Sequence, residues 1–259
     1  MADYDLIVVG GGPAGYVGAI RAGQMGKKVA CVEMDRAGGT CLNWGCIPTK
    51  SLLKNAEVYQ LMSHHAADFG IKIEGLSYEW DKVIGRSRKV ADRLAGGIEM
   101  LFKKNKVDYI RGSASISKAG TIEVTDKDGK VSEYRGTKIL IATGVVAREL
   151  PGFPFNGKSV ISSKQALVLA EQPKDIVIIG AGAIGVEFAY FFNSFGTKVT
   201  LVEMLPNILP IEDTEVSIAL EKSLAKQGIR ILAGTKVEKA EVTNKGVRLA
   251  LGGKTNETI

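Results

Sequence analysis

Two short apolar runs, far apart in the chain, each lead into a turn rich in glycine. Residues 5–9, Asp-Leu-Ile-Val-Val, run into the segment from Gly10 to Gly15, and a stretch rich in alanine and glycine follows. This order predicts a strand, a tight turn and a helix. Residues 27–33 predict a second strand that ends on Glu33, 23 positions after Gly10.

The same pattern recurs 170 positions later. Residues 175–179 lead into the segment from Gly180 to Gly185, and residues 198–203 end on Glu203, again 23 positions after the first glycine. In this fingerprint the first glycine makes the turn, the second admits a pyrophosphate, the third permits close helix–strand packing, and the acid binds a ribose diol. The repeat therefore predicts two dinucleotide sites. Their turn residues are Gly10, Gly12, Pro13, Ala14, Gly15, Gly180, Gly182, Ala183, Ile184 and Gly185.

The second site is expected to take NAD and not NADP. A carboxylate at Glu203 repels a 2′-phosphate, and residues 204–209 contain no lysine or arginine to bind one.

The segment between the fingerprints predicts antiparallel strands. Residues 121–134 alternate like a hairpin with Asp128-Gly129 at the turn, and residues 138–141 predict another strand, which enters Ala142-Thr143-Gly144. The run from Pro151 to Pro154 predicts a linker. We expect an α/β fold with two Rossmann-like domains, residues 1–150 and 151–259, and a β-meander insertion.

Composition narrows the class of protein. The 259 residues carry a net charge of +6, with no apolar run near the roughly 18 residues of a membrane helix and an acidic start where a signal peptide would be basic. The basic residues between Arg86 and Lys106 fit a solvated helix face, so we expect neither a nucleic-acid nor a membrane partner. Three cysteines do not suit a disulfide scaffold, and we expect a cytoplasmic protein, or an organelle-matrix protein if it is imported.

Two of the cysteines, Cys41 and Cys46, lie five positions apart. Pro48 predicts a helix from Cys46 to about Met62, and a helix amino terminus lowers the pKa of a thiol, as does a cation such as Lys50. Zinc binding would need His64 and His65 without a matching spacing, and inert burial suits Cys31 better than this pair. A reversible dithiol–disulfide is the favoured interpretation, with no metal.

The segment from Gly39 to Lys50, Gly-Thr-Cys-Leu-Asn-Trp-Gly-Cys-Ile-Pro-Thr-Lys, lies between the two fingerprints and resembles the pyridine nucleotide–disulfide oxidoreductases. The resemblance implies that residues 1–150 bind FAD and residues 151–259 bind NAD. It implies that Cys41 meets the substrate dithiol, that Cys46 lies near the flavin, and that Lys50 pairs with Glu187 beside it. The further cofactor positions that it implies are Glu33, Gly39, Thr40, Cys41, Lys50, Gly112, Ala142, Thr143 and Gly144 for FAD, with Glu187 as the partner of Lys50, and Glu203 and, more loosely, Val237 for NAD.

The resemblance is strongest to members that oxidise the dihydrolipoyl group of a 2-oxoacid dehydrogenase or glycine cleavage component with NAD, as homodimers at full length. A related disulfide or mercuric reductase and a non-catalytic nucleotide-binding fragment are the alternatives. Family members also have a Gly-Asp return segment and a dimerisation domain with an acid–base histidine, and this chain has no Gly-Asp dipeptide. We therefore expect both domains to be incomplete, and the 259 residues alone to bind FAD poorly and to lack turnover.

Overall fold

The computed structural model describes residues 3–244 and 246–259. Contacts divide the chain into two compact units, one of Met1–Pro48 with Ser87–Val146 and the other of Thr49–Arg86 with Ala147–Ile259. Segment 49–86 thus groups with the later part of the chain. The assignment of residues 1–150 to FAD and 151–259 to NAD stays a prediction.

The first unit is built on a six-stranded sheet in the order β3-β2-β1-β6-β5-β4. The parallel part contains β1, β2, β3 and the end of β6, while β4, β5 and the start of β6 pair antiparallel. The strands are β1 (Tyr4–Val9), β2 (Val29–Glu33), β3 (Val107–Arg111), β4 (Ser113–Lys118), β5 (Thr121–Thr125) and β6 (Val131–Ile141). The helices that begin or lie wholly in this unit are α1 (Pro13–Gln24), α2 (Gly39–Trp44) and α3 (Cys46–Gln60).

Strand β6 corrects one detail of the sequence analysis. The expected hairpin arm and the separate strand 138–141 form one continuous strand, which pairs first with β5 and then with β1. The reason is Gly136, whose N–H donates to the carbonyl oxygen of Gly120 at 2.9 Å. A Cβ on Gly136 would lie 2.9 Å from Cγ1 of Ile7, so the glycine permits close packing and does not end the strand.

Both faces of β1 and β2 are buried. Val8, Val29 and Cys31 pack on one face, while Ile7 and Val32 pack on the other. This explains why β1 and β2 are almost wholly apolar. Cys31 is a buried free thiol, which confirms the packing role expected for it.

The second unit contains a parallel sheet in the order β7-β8-β9 and an antiparallel sheet in the order β10-β11-β12. Its core joins apolar side chains of helix α6 to aromatic residues of segment 49–86, with Trp80 stacked on Phe192. The elements are α4 (Trp80–Lys104, which runs into the first unit), α5 (Ser163–Ala166), β7 (Asp175–Ile179), α6 (Ala183–Ser194), β8 (Lys198–Glu203), α7 (Thr214–Lys226), β9 (Arg230–Ala233), β10 (Thr235–Thr243), β11 (Gly246–Gly253) and β12 (Glu257–Thr258). None of the helices in the described residues is both long enough and apolar enough to cross a membrane.

Candidate nucleotide and redox sites

The two glycine turns have the same backbone geometry. Gly10 and Gly180 adopt positive φ angles of 106° and 99°, which favour glycine strongly. A Cβ on Gly15 would lie 1.7 Å from the carbonyl oxygen of Gly10, and one on Gly185 would lie 1.9 Å from that of Gly180. The first and third glycines of each fingerprint therefore have the roles that the sequence predicted.

The second glycine of each fingerprint faces open space at a helix amino terminus. Gly12 is the N-cap of α1 and Gly182 the N-cap of α6, and no side chain within the described ranges caps either helix. A Cβ on Gly182 would meet no described atom within 4 Å, and the nearest atom to one on Gly12 is Cα of Gly39 at 3.8 Å. Free N–H groups and a bare backbone fit a pyrophosphate at both turns.

The two acids make matching contacts with the backbone. Glu33 accepts hydrogen bonds from the N–H groups of Gly11 at 2.7 Å and Asp35 at 2.8 Å. Glu203 accepts from Ala181 at 2.8 Å and Leu205 at 2.9 Å. Both carboxylates are nearly buried, and each oxygen retains a lone pair that could accept a ribose hydroxyl.

Four of the other residues implied for FAD follow the carboxyl ends of β3 and β6 in the first unit: Gly112, Ala142, Thr143 and Gly144. The N–H of Ala142 donates to the carbonyl oxygen of Val9 at 2.8 Å, and that of Gly112 donates to the carbonyl oxygen of Glu33 at 3.0 Å. Thr40, Thr143 and Gly144 are exposed. In the second unit, Val237 is buried in β10 and belongs to the same apolar cluster as Val202, the neighbour of Glu203. Contact between these residues and a cofactor stays a prediction.

The helix that carries Cys41 begins next to the first glycine turn in space. The N–H of Gly38 donates to the carbonyl oxygen of Gly11 at 2.8 Å, and α2 begins at the next residue. Cys41 on α2 is joined by a disulfide to Cys46, the first residue of α3, with their Cα atoms 4.7 Å apart. The expected helix start and the expected pairing are confirmed. The zinc alternative is not supported, because the two thiols that it requires are bonded to each other.

Lys50 and Glu187 form the expected ion pair, and both belong to the second unit. The Lys50 side chain is 60% exposed and that of Glu187 is 26% exposed. An ion pair with so exposed a lysine adds little to stability. His64 and His65 are exposed on a turn of π-helix after α3, as expected for surface histidines.

The sequence analysis missed a half-buried arginine on α4. Arg88 was expected on a solvated face, but its guanidinium lies 4.9 Å from the ring centroid of Trp44 and donates to the carbonyl oxygen of Asn43. Burial lowers the pKa of this guanidinium from its usual range. The periodicity of charges along one helix could not reveal this contact, because the partner residues lie 44 and 45 positions away.

Known proteins resemble the chain over nearly its whole length. Residues 4–259 match the family of pyridine nucleotide-disulphide oxidoreductases. The chain is 46% identical over 256 residues to the dihydrolipoyl dehydrogenase of Zymomonas mobilis, and the aligned region covers 98% of this chain and 54% of that protein. It is 40% identical over 248 residues to the mitochondrial dihydrolipoyl dehydrogenase of Pisum sativum, and the aligned region covers 95% of this chain and 50% of that protein.

Solved structures agree. LpdA from Mycobacterium tuberculosis superposes with a TM-score of 0.89 at 26% identity, over 98% of this chain and 56% of its own. The flavoprotein disulfide reductase RclA from Escherichia coli gives a TM-score of 0.83 at 29% identity, over 100% of this chain and 55% of its own. This likeness confirms the expected α/β class with Rossmann-type domains. The chain spans about half the length of the curated relatives that it matches.

Proposed function

The chain belongs to the pyridine nucleotide–disulphide oxidoreductases, and on that basis we propose that the protein uses FAD to oxidise dihydrolipoyl groups with NAD as the acceptor, the activity of a dihydrolipoyl dehydrogenase. One observation carries the proposal. Cys41 of the Cys41–Cys46 disulfide lies on α2, which begins against the first glycine turn, so the redox pair adjoins the turn that we assign to a dinucleotide.

The two fingerprints divide the cofactors between them. FAD binds in the first unit, where Gly12 and the amino terminus of α1 face its pyrophosphate and Glu33 accepts from its ribose. NAD binds in the second unit, through Gly182 and Glu203. Glu203 is matched by no lysine or arginine in residues 204–209, which favours NAD over NADP.

The cysteines perform a thiol–disulfide exchange. A substrate thiolate attacks Sγ of Cys41, the Cys41–Cys46 bond breaks, and Cys46 leaves as a thiolate. The second substrate thiol attacks the substrate sulfur of the mixed disulfide, the bond to Cys41 breaks, and the proton of that thiol passes to the released Cys41 sulfur. The substrate is then oxidised to a cyclic disulfide, and the cysteine pair holds the two electrons.

The surroundings of Cys46 favour this direction. Its place as the first residue of α3 stabilises the thiolate through the partial positive charge of the helix end. FAD, when bound, supplies a two-electron carrier between the cysteine pair and the nicotinamide. Lys50, held by Glu187, places a cation to tune the electronics of the flavin.

The proposal extends to partners and location. We propose that the substrate is a dihydrolipoyl group on a 2-oxoacid dehydrogenase or glycine cleavage component, and that the full-length protein is a cytoplasmic or organelle-matrix homodimer. The chain spans about half the length of its relatives, and we propose that these 259 residues alone lack turnover.

The test uses protein expressed from the complete reading frame and loaded with FAD. We expect dihydrolipoamide to be oxidised with NAD and not with NADP, and Cys46→Ser to abolish the reaction. Cys31→Ala is the control, since Cys31 is buried outside the redox pair, and it should keep full activity. Reduction of glutathione disulfide by NADPH, in place of dihydrolipoamide oxidation with NAD, would support a related disulfide reductase. No redox turnover with either substrate would support a non-catalytic nucleotide-binding protein.

A further inference from the structure

We propose that Arg88 is a positioning residue for the redox disulfide. It holds the short helix α2, which carries Cys41, and links that helix to the ribose acid Glu33. The proposal rests on the redox role proposed above for Cys41 and Cys46.

Arg88 contacts the carboxyl end of α2. Its guanidinium donates to the carbonyl oxygen of Asn43 and lies over the ring of Trp44, at 4.9 Å from the centroid. The Asn43 side chain in turn donates to the carbonyl oxygens of Ala37 at 3.1 Å and Gly39 at 3.0 Å. The start of α2 is fixed against the glycine turn, and its end is fixed by Arg88.

A chain of hydrogen bonds continues from this end of α2 to the nucleotide cradle. The indole N–H of Trp44 donates to the carboxylate of Asp35 at 2.8 Å. The N–H of Asp35 donates to Oε1 of Glu33 at 2.8 Å. A second tie between α4 and this segment is the ion pair of Arg36 with Asp92 at 2.6 Å. The cysteine-bearing helix and the ribose acid therefore share one supporting network.

The burial of Arg88 favours a positioning role over a general surface role. Burial lowers the pKa of its guanidinium, and among the described residues its Nη1 is buried without a hydrogen-bond partner. A charge that served only solubility would remain in water, as Lys89 and Arg93 do on the same helix. The desolvation of Arg88 accompanies its contacts with Asn43 and Trp44 at the end of α2.

The expected consequence concerns the disulfide equilibrium. A fold that holds two thiols close together favours their oxidation, because closing the bond then costs less conformational freedom. Without the guanidinium, α2 is released at one end and the reduced form gains freedom. The equilibrium of Cys41 and Cys46 with an external dithiol should then shift toward the reduced pair.

The experiment measures that equilibrium without dihydrolipoyl substrate. Protein expressed from the complete reading frame is incubated in dithiothreitol buffers of graded oxidation state, and alkylation followed by mass spectrometry gives the oxidised fraction of the Cys41–Cys46 peptide. Arg88→Met should shift the equilibrium constant about 10-fold toward the dithiol, which is roughly 30 mV. Arg88→Lys, which keeps a charge and a donor, should recover part of the shift. The exposed Arg93→Met is the matched control and should not change.

The proposal is overturned if Arg88→Met stays within twofold of the unsubstituted protein, or if Arg93→Met shifts as much. If Arg88→Met does not fold, Arg88→Lys carries the test, because it keeps the charge but loses the planar guanidinium that bonds Asn43 and lies over Trp44. A shift of about threefold toward the dithiol supports the proposal, and no shift overturns it. A protein that shows these shifts but does not oxidise dihydrolipoamide keeps the positioning role and refutes the proposed substrate.

Discussion

A substitution at Gly182, the second glycine of the second fingerprint, should impair nucleotide binding without impairing folding. Gly182 has a φ of −70°, which alanine adopts freely, and its added Cβ would meet no described atom within 4 Å. The substitution Gly182→Ala should therefore change the free energy of unfolding by less than about 1 kcal/mol, since a weaker N-cap offsets the lower entropy of the unfolded chain. The same methyl group occupies the space through which a pyrophosphate approaches the backbone.

The matched control is the third glycine of the same turn. A Cβ on Gly185 would lie 1.9 Å from the carbonyl oxygen of Gly180, a backbone atom that must move. Gly185→Ala should cost about 3 kcal/mol or more, which lowers Tm by roughly 6–12 °C if the transition is two-state. The two substitutions lie three positions apart in the sequence, but only the one at Gly185 should disturb the fold.

The assay is a pair of measurements on each variant: NAD affinity by isothermal titration calorimetry and Tm by calorimetry. Gly182→Ala should weaken NAD binding at least about 10-fold, or 1.4 kcal/mol, with Tm nearly unchanged. For Gly185→Ala the main expected effect is the lower Tm. If Gly182→Ala binds NAD with the affinity of the unsubstituted protein, the pyrophosphate does not lie at this turn, and the assignment of the second fingerprint is refuted.

Three further predictions follow from individual side chains. Lys50→Met should lower turnover about 10-fold or more, while the free energy of unfolding changes by less than about 1 kcal/mol because the ion pair with Glu187 is exposed. Steady-state kinetics and denaturant unfolding measure the two effects, and a large loss of stability with normal turnover contradicts a functional role. Glu203→Gln should weaken NAD binding at least about 10-fold, measured by calorimetry, because one oxygen that accepts from the backbone becomes an amide donor; unchanged binding would exclude this acid from the ribose site. Burial raises the pKa of the Cys31 thiol from 9.0 to about 12, so the folded state keeps a proton that the unfolded chain loses. The stabilisation that this protonated thiol gives the folded state is complete below pH 9 and is lost as pH rises toward 12. Between pH 8 and pH 10 the free energy of unfolding should fall by about 1.4 kcal/mol more than in Cys31→Ala, as measured by urea titrations at each pH. Equal pH dependence of the two proteins contradicts the burial argument.

The parts of the site that lie close together in sequence were the parts that could be predicted. Cys46 and Pro48 mark a helix start locally, and the structure begins α3 at Cys46. The pairing of Lys50 with Glu187, 137 positions apart, came only from the family resemblance. No local pattern contains a contact between two helices at that distance.

Arg88 shows why the remainder could not be predicted. Charged residues at helical spacing indicate which face of a helix is polar, but they do not indicate what lies opposite that face. The aromatic ring and the carbonyl oxygen that receive Arg88 belong to a six-residue helix, α2, too short for its own periodicity to be read. Gly136 is the converse case, because a residue that usually weakens strands was needed for close packing inside one.

The acid of each fingerprint was predicted by its spacing, and the strand register explains why that spacing works. In the first sheet Val9 pairs with Val32, so Gly10, the residue after β1, lies beside Glu33, the last residue of β2. The N–H of Gly10 donates to the carbonyl oxygen of Val32 at 2.8 Å. Glu33 is thus brought to the glycine turn, where it accepts from Gly11. The second sheet repeats this register between residues 179 and 202, and Glu203 reaches its own turn in the same way. One carboxylate therefore fixes each turn and, in the proposed function, also accepts from the ribose, so a change in the number of residues between the glycine turn and the acid should impair folding and nucleotide binding together.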